Sequence, residues 1–310
     1  VELIRGIHNI KTSHKGCVLT IGKFDGVHLG HNAVLSRLTA KAATLDLPAM
    51  VMVFEPLPEE VFCPEKAPAR LSRLRDKYLD ISKLGVDRML CVRFNHDFAQ
   101  LSAQNFIQEL LVNKLGVRYL VVGDDFRFGQ DRIGDFQLLQ EASESYQFEL
   151  SNTDSFCLEH KRISSTAVRQ ALQQGQFDQA EAMLGRPFVI RGKVIHGDKQ
   201  GRTIGFPTAN ILLKRHKAPL NGVFAVKVNI NQRDVFGVAN IGSRPTVKGV
   251  RAQLEVHLFN FAADLYGQYI EVQIKAKLRD EIRFDSFAQL AEQIKQDAQQ
   301  AKALFAAQPH

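Results

Sequence analysis

Two histidines three residues apart, His28 and His31, lie in the stretch Gly22-Lys23-Phe24-Asp25-Gly26-Val27-His28-Leu29-Gly30-His31. Near the start of a helix, residues at that spacing share a face. Two imidazoles there offer ring N–H donors to phosphate oxygens. A helix N-terminus already attracts anions through its orphan backbone N–H groups and its dipole. The elements that must position the pair are readable on either side. Cys17-Val18-Leu19-Thr20-Ile21 is short, apolar and partly β-branched, which predicts a buried strand. Val34, Leu35, Leu38 and Ala42 recur at helical spacing. The motif is therefore a strand-to-helix turn, the place where ligands bind in an open α/β sheet. Gly22, Gly26 and Gly30 let the backbone turn tightly and approach a ligand closely.

Other stretches carry groups suited to the same chemistry. A strand-like run, Tyr119 to Val122, leads into Gly123-Asp124-Asp125-Phe126-Arg127-Phe128-Gly129. Acidic, aromatic and basic side chains thus converge at a second strand's carboxyl end, bordering the same cleft. Alternatively this is a turn whose Phe126 and Phe128 pack inward. In Ile163-Ser164-Ser165-Thr166-Ala167-Val168-Arg169, three hydroxyls precede an arginine by about one helical turn. Such a stretch caps a helix through Ser165 or Thr166, or forms an anion site. Later, Gly192, Gly197, Gly201 and Gly205 punctuate a loop carrying Lys193, Lys199 and Arg202. A basic glycine-rich loop can wrap polyphosphate, although glycines also serve hairpin turns. No Walker pattern is present.

The pattern behind these motifs changes midway. Strand signals at Cys17–Ile21, Ala49–Phe54, Met89–Arg93 and Tyr119–Gly123 alternate with helical ones. One helix follows Ser72 and stops at Gly85; another follows Ser102 and stops at Gly116, with Ser and Gly as the expected caps. Alternation of this kind implies βαβ units and a parallel sheet, a Rossmann-like α/β fold over residues 1–185. Two helices, the second from Gln179 to Leu184, close that domain, and Arg186-Pro187 is the link. Beyond it, Val226, Val228 and Ile230 alternate with polar residues, as do Ile270, Val272 and Ile274. Period two without intervening helices implies an antiparallel β-barrel over residues 186–310. An amphipathic C-terminal helix follows, capped by Asp285 and burying Phe287, Leu290, Ala291 and Ile294.

The His28–His31 segment resembles the His-x-Gly-His signature of the nucleotidylyltransferase superfamily. In its fuller form it resembles the prokaryotic bifunctional riboflavin kinase/FMN adenylyltransferases. Gly123–Gly129 is similar to the segment that shapes the flavin side of the adenylyltransferase site, which implies flavin contacts from Asp124, Asp125, Phe126 and Phe128. Ile163–Arg169 is similar to a motif contacting nucleotide phosphates, implying that role for Ser164, Ser165, Thr166 and Arg169. The resemblance also implies ATP or phosphate contacts from Gly22, Lys23, Phe24 and Gly30. In the second half, the glycine-rich loop with Phe206-Pro207-Thr208-Ala209-Asn210 resembles flavokinase domains. This implies metal–nucleotide binding by Thr208 and Asn210, with Gly197, Lys199 and Arg202 toward ATP. Asn240-Ile241-Gly242 with Pro245-Thr246 resembles a further family segment, and Glu255 in Leu254-Glu255-Val256-His257 matches the catalytic glutamate. The implied chemistry is phosphorylation of riboflavin to FMN, then adenylylation of FMN to FAD with release of pyrophosphate. ATP is a substrate of both steps, and Mg2+ is expected in each, because each moves a phosphorus centre between charged oxygens. His28, His31 and Arg169 are expected to stabilise charge, and Glu255 to act as base. Two departures from the pattern stand out: Lys23, where a small or amide residue is common, and Leu57, where a polar one is common.

Charge separates the halves. Residues 1–185 carry 21 basic and 23 acidic side chains, whereas residues 186–310 carry 19 and 10, for +7 overall. The basic excess is dispersed and lacks interleaved aromatics, which favours small phosphorylated ligands over nucleic acid. Cys17, Cys63, Cys91 and Cys157 form no Cys-x-x-Cys pair, and Cys17 and Cys91 fall in apolar runs expected to be core. No signal-peptide pattern and no bilayer-length apolar run is read, so a cytoplasmic protein without a membrane partner, monomeric or weakly oligomeric, is expected. Two alternatives remain open from the residues: a cytidylyltransferase acting on a small alcohol phosphate, and a non-catalytic flavin- or RNA-binding protein.

Overall fold

The computed structural model describes residues 1–123, 125–153, 157–158, 161–197, 205–213, 217–246 and 249–307. The chain forms two compact units, Val1–Pro68 with Ser72–Ser164, and Ala69–Leu71 with Ser165–His310.

In the first unit, β1 (Glu2–Arg5), β2 (Cys17–Ile21), β3 (Ala49–Glu55), β4 (Arg88–Arg93), β5 (Val117–Gly123) and β6 (Glu149–Thr153) make one sheet. Every pairing is parallel, in the order β1-β4-β3-β2-β5-β6. The chain runs outward from β2 through β3 to β4, then crosses back to place β5 on the other side of β2. The switch point of the sheet therefore lies between β2 and β5. All five residues of β2 are buried, because both faces of the sheet are covered. Cys17, Leu19 and Ile21 enter one core with Phe106, Ile107 and Leu111. Val18 enters the other with Leu35 and Leu38 of the helix Leu29–Leu45. Burial pushes the Cys17 thiol up to about 12, an inert core group, and Cys91 is also buried while Cys63 is exposed. The side chain of Cys157 lies outside the described residues. A short pair, β7 (Cys157–Leu158) with β8 (Lys161–Arg162), follows the sheet.

The second unit begins with helices Ser165–Gln173 and Phe177–Leu184. Six antiparallel strands then close a barrel: β9 (Val189–Ile195), β10 (Ala209–Leu212), β11 (Gly222–Ile230), β12 (Arg233–Thr246), β13 (Gly249–Leu258) and β14 (Tyr269–Arg279). Their order is β10-β13-β12-β11-β14-β9, which leaves no sheet edge. Phe224, Val226, Ile241, Leu254, Val256 and Val272 are buried in it. The helix Phe287–Ala306 is pinned to β14 by Arg279, whose Nε and Nη2 donate to the buried Asp297 carboxylate at 2.9 and 2.8 Å.

Several local expectations are corrected. Ser72 does not cap the helix Leu74–Ser82; Arg73 occupies that position, its N–H donating to Asp76 Oδ2 at 3.1 Å. The C-terminal helix is capped by Ser286 rather than Asp285, with Gln289 N donating to Ser286 Oγ at 3.3 Å. Its fully buried small residues are Ala298 and Ala301, whereas Phe287 is 60% exposed. The short helix before Gly185 starts at Phe177, two residues before the expected Gln179. Independently of these corrections, both short helices fall within the second compact unit.

Candidate active sites

At the carboxyl end of β2 the chain leaves the sheet through Gly22, where a Cβ would press on the Phe24 ring at 3.0 Å. The turn is strained: Phe24 and Val27 adopt φ of 47° and 42°, values that a β-branched residue rarely tolerates. A buried clamp holds it there. Ser72 N and Oγ donate to Asp25 Oδ1 at 2.9 and 3.2 Å, while Gly26 N donates to Ser72 Oγ at 3.0 Å. Phe24 is buried beneath His31, ring centroids 4.8 Å apart.

The clamp delivers His28 to the N-cap of the helix Leu29–Leu45, with Gly30 in the first turn. Nδ1 of His28 accepts from His31 N, and Nδ1 of His31 accepts from His28 N, both at 3.3 Å. The rings stack with centroids 3.7 Å apart and planes 17° from parallel. An Nδ1 that accepts carries no proton, so each neutral ring bears its proton on Nε2. Burial, His28 and the buried Lys77 hold His31 well below the ordinary histidine pKa. It is therefore a neutral N–H donor at the N-terminus of a helix, adding to the anion affinity of the helix itself.

Beyond the carboxyl end of β5, Phe126 and Phe128 stack at 5.6 Å and 19°, and Phe106 abuts Phe128 at 5.0 Å. Phe128 is buried and Phe126 half-buried, so one ring closes the core and the other forms a wall above it. Asp125 is exposed, 3.9 Å from Arg162.

In the second unit, β10 and β13 pair so that Asn210 stands opposite Glu255, and β12 brings Asn240 opposite Glu255 from the other side. Three polar side chains thus line up across adjacent strands. Asn210 is buried; its Nδ2 donates to the carbonyl and Oγ1 of Thr208 at 3.3 and 3.4 Å. Gln253 Nε2 bridges the row, donating to Asn210 Oδ1 at 2.6 Å and to Glu255 Oε1 at 3.3 Å. Gly197 packs directly on the Asn210 amide, where a Cβ would overlap it. Asn240 Nδ2 donates to Glu281 at 3.3 Å, and its buried Oδ1 has no hydrogen-bond partner among the described residues.

The two halves match two known families. The FAD synthetase family model matches residues 10–167, and the riboflavin kinase model matches residues 184–305. The bifunctional riboflavin kinase/FMN adenylyltransferase of Escherichia coli K12 is 54% identical over 98% of both chains. Those of Haemophilus influenzae and Pseudomonas fluorescens are 51% and 49% identical, covering 98% and 100% of this chain and 99% and 100% of theirs. The chain belongs to the bifunctional riboflavin kinase/FMN adenylyltransferase family. A crystal structure of a protein named as a macrolide-efflux protein, from Streptococcus pneumoniae, shares the fold at TM-score 0.76 and 32% identity, covering 96% of this chain and 97% of that one. No helix among the described residues of the present chain is long and apolar enough to cross a membrane.

Within this bifunctional family member, the residues singled out from sequence gather chiefly in two places. Gly22, Phe24, His28, Gly30 and His31 gather on the β2 turn, and Thr208, Asn210, Glu255 and Gly197 gather on the barrel. Lys23 is exposed on the same turn but is ion-paired with Glu59. Leu57 is buried at the start of the helix Pro58–Phe62, a packing role. Ser164 ends the first unit and is the residue immediately before the helix Ser165–Gln173, which places it, rather than Ser165 or Thr166, at the flanking position. In the second unit, Arg169 Nε donates to Ala69 O at 2.6 Å. Asp124, Lys199 and Arg202 lie outside the described residues. The sequence reading missed Ser72 as the clamp of the turn that leads to His28 and His31, and missed Asn240 as Glu255's neighbour. The first depends on a contact across 47 residues, the second on strand register, and neither leaves a local signal.

Proposed function

We infer that this protein phosphorylates riboflavin to FMN and then joins FMN to AMP, yielding FAD and pyrophosphate, with ATP as donor in both steps. The observation that carries this reading is the presence of both family domains, in order, along one chain. A lone cytidylyltransferase would leave the barrel without a purpose. A non-catalytic module would not need the Asn210–Glu255 row.

In the adenylyl transfer, a phosphate oxygen of FMN attacks the α-phosphorus of ATP and pyrophosphate leaves. The Nε2–H groups of His28 and His31 donate to the triphosphate as charge builds on it. Such preorganised donors act most strongly in a water-poor site. Gly22, Lys23, Phe24 and Gly30 shape the turn around the nucleotide. Ser164, Ser165, Thr166 and Arg169 contact its phosphates, and Phe126 and Phe128, with Asp124 and Asp125, form the flavin wall.

In the kinase step, Glu255 accepts the proton of the riboflavin hydroxyl while its oxygen takes the γ-phosphoryl group. Thr208 and Asn210 would hold the magnesium–nucleotide, and Gly197, Lys199 and Arg202 are assigned to its phosphates. The donors present are hydroxyl, amide and carboxylate oxygens, the set that suits Mg2+. Among the described residues no cluster of three or more His, Cys, Asp or Glu side chains is arranged to hold a metal. When bound, Mg2+ neutralises developing charge on the transferred group.

This reading places the chain in the cytoplasm, which the exposed free thiol of Cys63 supports, and takes it as a monomer or weak oligomer. Its domain boundary is set at residues 185/186. The test is direct: incubate the protein with riboflavin, ATP and Mg2+ and separate the flavins by chromatography. FMN appearing first and FAD second is the expected result. No FMN would exclude the kinase assignment, and FMN that never becomes FAD would exclude the adenylyltransferase.

A further inference from the structure

His257 follows Glu255 by two positions in β13, so the two side chains stand on one face of the strand. The pairing of β13 with β10 sets Asn210 opposite Glu255 and Ala209 opposite Val256, which brings the residues just before β10 alongside His257. There His257 Nδ1 lies 3.0 Å from the carbonyl oxygen of Pro207. A carbonyl only accepts, so Nδ1 carries the proton and donates. The ring is held edge-on by Phe206 and Phe259, with centroids 5.0 and 5.9 Å away. Proline has a fixed φ, so anchoring its carbonyl fixes the peptide plane leading into Thr208. Thr208 is in turn held by the Asn210 amide at 3.3 and 3.4 Å. An unbroken series of contacts therefore runs from His257 through Pro207 to Thr208 and Asn210.

We propose that His257 is a positioning residue of the riboflavin kinase site, its Nδ1–H bond to Pro207 setting Thr208 and Asn210 at their working distance from Glu255. The inference rests on the assignment of Thr208, Asn210 and Glu255 to that site. Burial, reinforced by Lys302 and opposed by the Pro207 bond, lowers the pKa of this histidine, so the ring is neutral at pH 7 and above. Nδ1 keeps its proton in the neutral and the charged ring alike. The bond to Pro207 thus survives acidification, and His257 acts without exchanging a proton.

The experiment uses the full-length protein and steady-state riboflavin kinase kinetics with Mg-ATP, comparing His257→Ala, His257→Asn and His257→Gln. Asn places an amide N–H near the position of Nδ1; Gln places it one methylene too far. His257→Ala should raise the KM for Mg-ATP about three- to tenfold, the worth of one neutral hydrogen bond, with a smaller change in kcat. His257→Asn should recover most of that loss and keep the wild-type pH profile, while His257→Gln should not recover it. FMN adenylylation by each variant reports that the rest of the chain is intact. Should His257→Ala fail to fold, the contrast between the Asn and Gln variants decides alone. A wild-type KM in His257→Ala, equal rescue by Gln, or no rescue by Asn would overturn the proposal. Glu255→Gln, run alongside, separates the two levels. If it phosphorylates riboflavin normally, the site assignment fails. If it is inactive while His257→Ala is unaffected, the site stands and the role of His257 does not.

Discussion

His28 and His31 stack with their ring centroids 3.7 Å apart, and each Nδ1 accepts the other's backbone N–H. The reciprocal bonds fix both tautomers, leaving Nε2–H as the donor of each ring. His31→Ala removes one preorganised donor from the triphosphate. Loss of such a donor costs on the order of 10²–10³ in rate, so FAD formation should fall by about that factor. FMN formation, carried by the other unit, should stay near normal. Chromatography of the flavin products reads both at once, and a wild-type rate of FAD formation would falsify the phosphate role of this turn.

The same residue predicts a pH effect on stability. Its folded pKa lies well below the ordinary value of 6.5, chiefly through burial, then through His28 and Lys77. Below pH 6.5 the unfolded chain therefore binds a proton that the folded chain refuses, and stability drops as pH falls. The contribution is fully present above 6.5 and is lost progressively as pH falls toward and through the lowered folded value. His31→Asn keeps a polar side chain but cannot titrate. The difference in Tm between wild type and His31→Asn should therefore move against the wild type between pH 7.5 and 5.5. A difference that stays constant over this range would mean His31 titrates normally in the fold.

Glu255 stands between Asn210 and Asn240 across the barrel. Glu255→Gln keeps size and hydrogen-bonding capacity but removes the base. Riboflavin phosphorylation should fall by roughly 10²–10⁴, while added FMN is still adenylylated. An unaffected kinase rate would leave Glu255 as an ordinary strand residue.

Much of this is legible in the sequence, for reasons that differ by residue. The run Cys17–Ile21 becomes β2 with the same ends because a strand buried on both faces is almost wholly apolar, Thr20 alone excepted, and Gly16 and Gly22 bound it. β1 and β6 carried no such signal: they are edge strands whose short sequences, Glu2–Arg5 and Glu149–Thr153, interrupt one or two apolar residues with charged or polar ones. The turn carrying His28 and His31 was legible as glycines and histidines in a strand-to-helix context. Its support was not, since Ser72 read as a helix cap and instead grips Asp25. At the last helix, Asp285 and Ser286 are both competent caps, and local pattern cannot choose between neighbours. The alternation of β13 foretold a strand, but not that Glu255 would meet Asn210 and Asn240. Register is a tertiary property, and a slip of one residue would turn Glu255 to the other face.

The helices Ser165–Gln173 and Phe177–Leu184 show where local pattern and packing diverge most, and they support a test of modularity. By sequence they continue the helical half; by packing they belong with the barrel. The ring of Phe177 meets the fully buried Phe224 of β11 edge-on, centroids 6.1 Å apart. Val168, Ala171 and Leu172 of the first helix and Ala180, Met183 and Leu184 of the second are buried. A fragment from Gly185 onward keeps all six barrel strands and the helix Phe287–Ala306, enough for its own core at typical domain size. It should fold and phosphorylate riboflavin. A fragment from Ser165 onward should do the same and melt higher, because it keeps the cover over Phe224. Within that longer fragment, Phe177→Ala removes a half-buried ring. It should cost about 2 kcal/mol, below the range for a fully buried phenylalanine, and lower Tm by roughly 4–8 °C. Thermal unfolding by circular dichroism, paired with the FMN assay, reads every arm. Equal melting of the two fragments would show that the helices add nothing to the barrel. A folded fragment from Ser165 without kinase activity would place an essential kinase residue in the first unit, against the assignment of Thr208, Asn210 and Glu255.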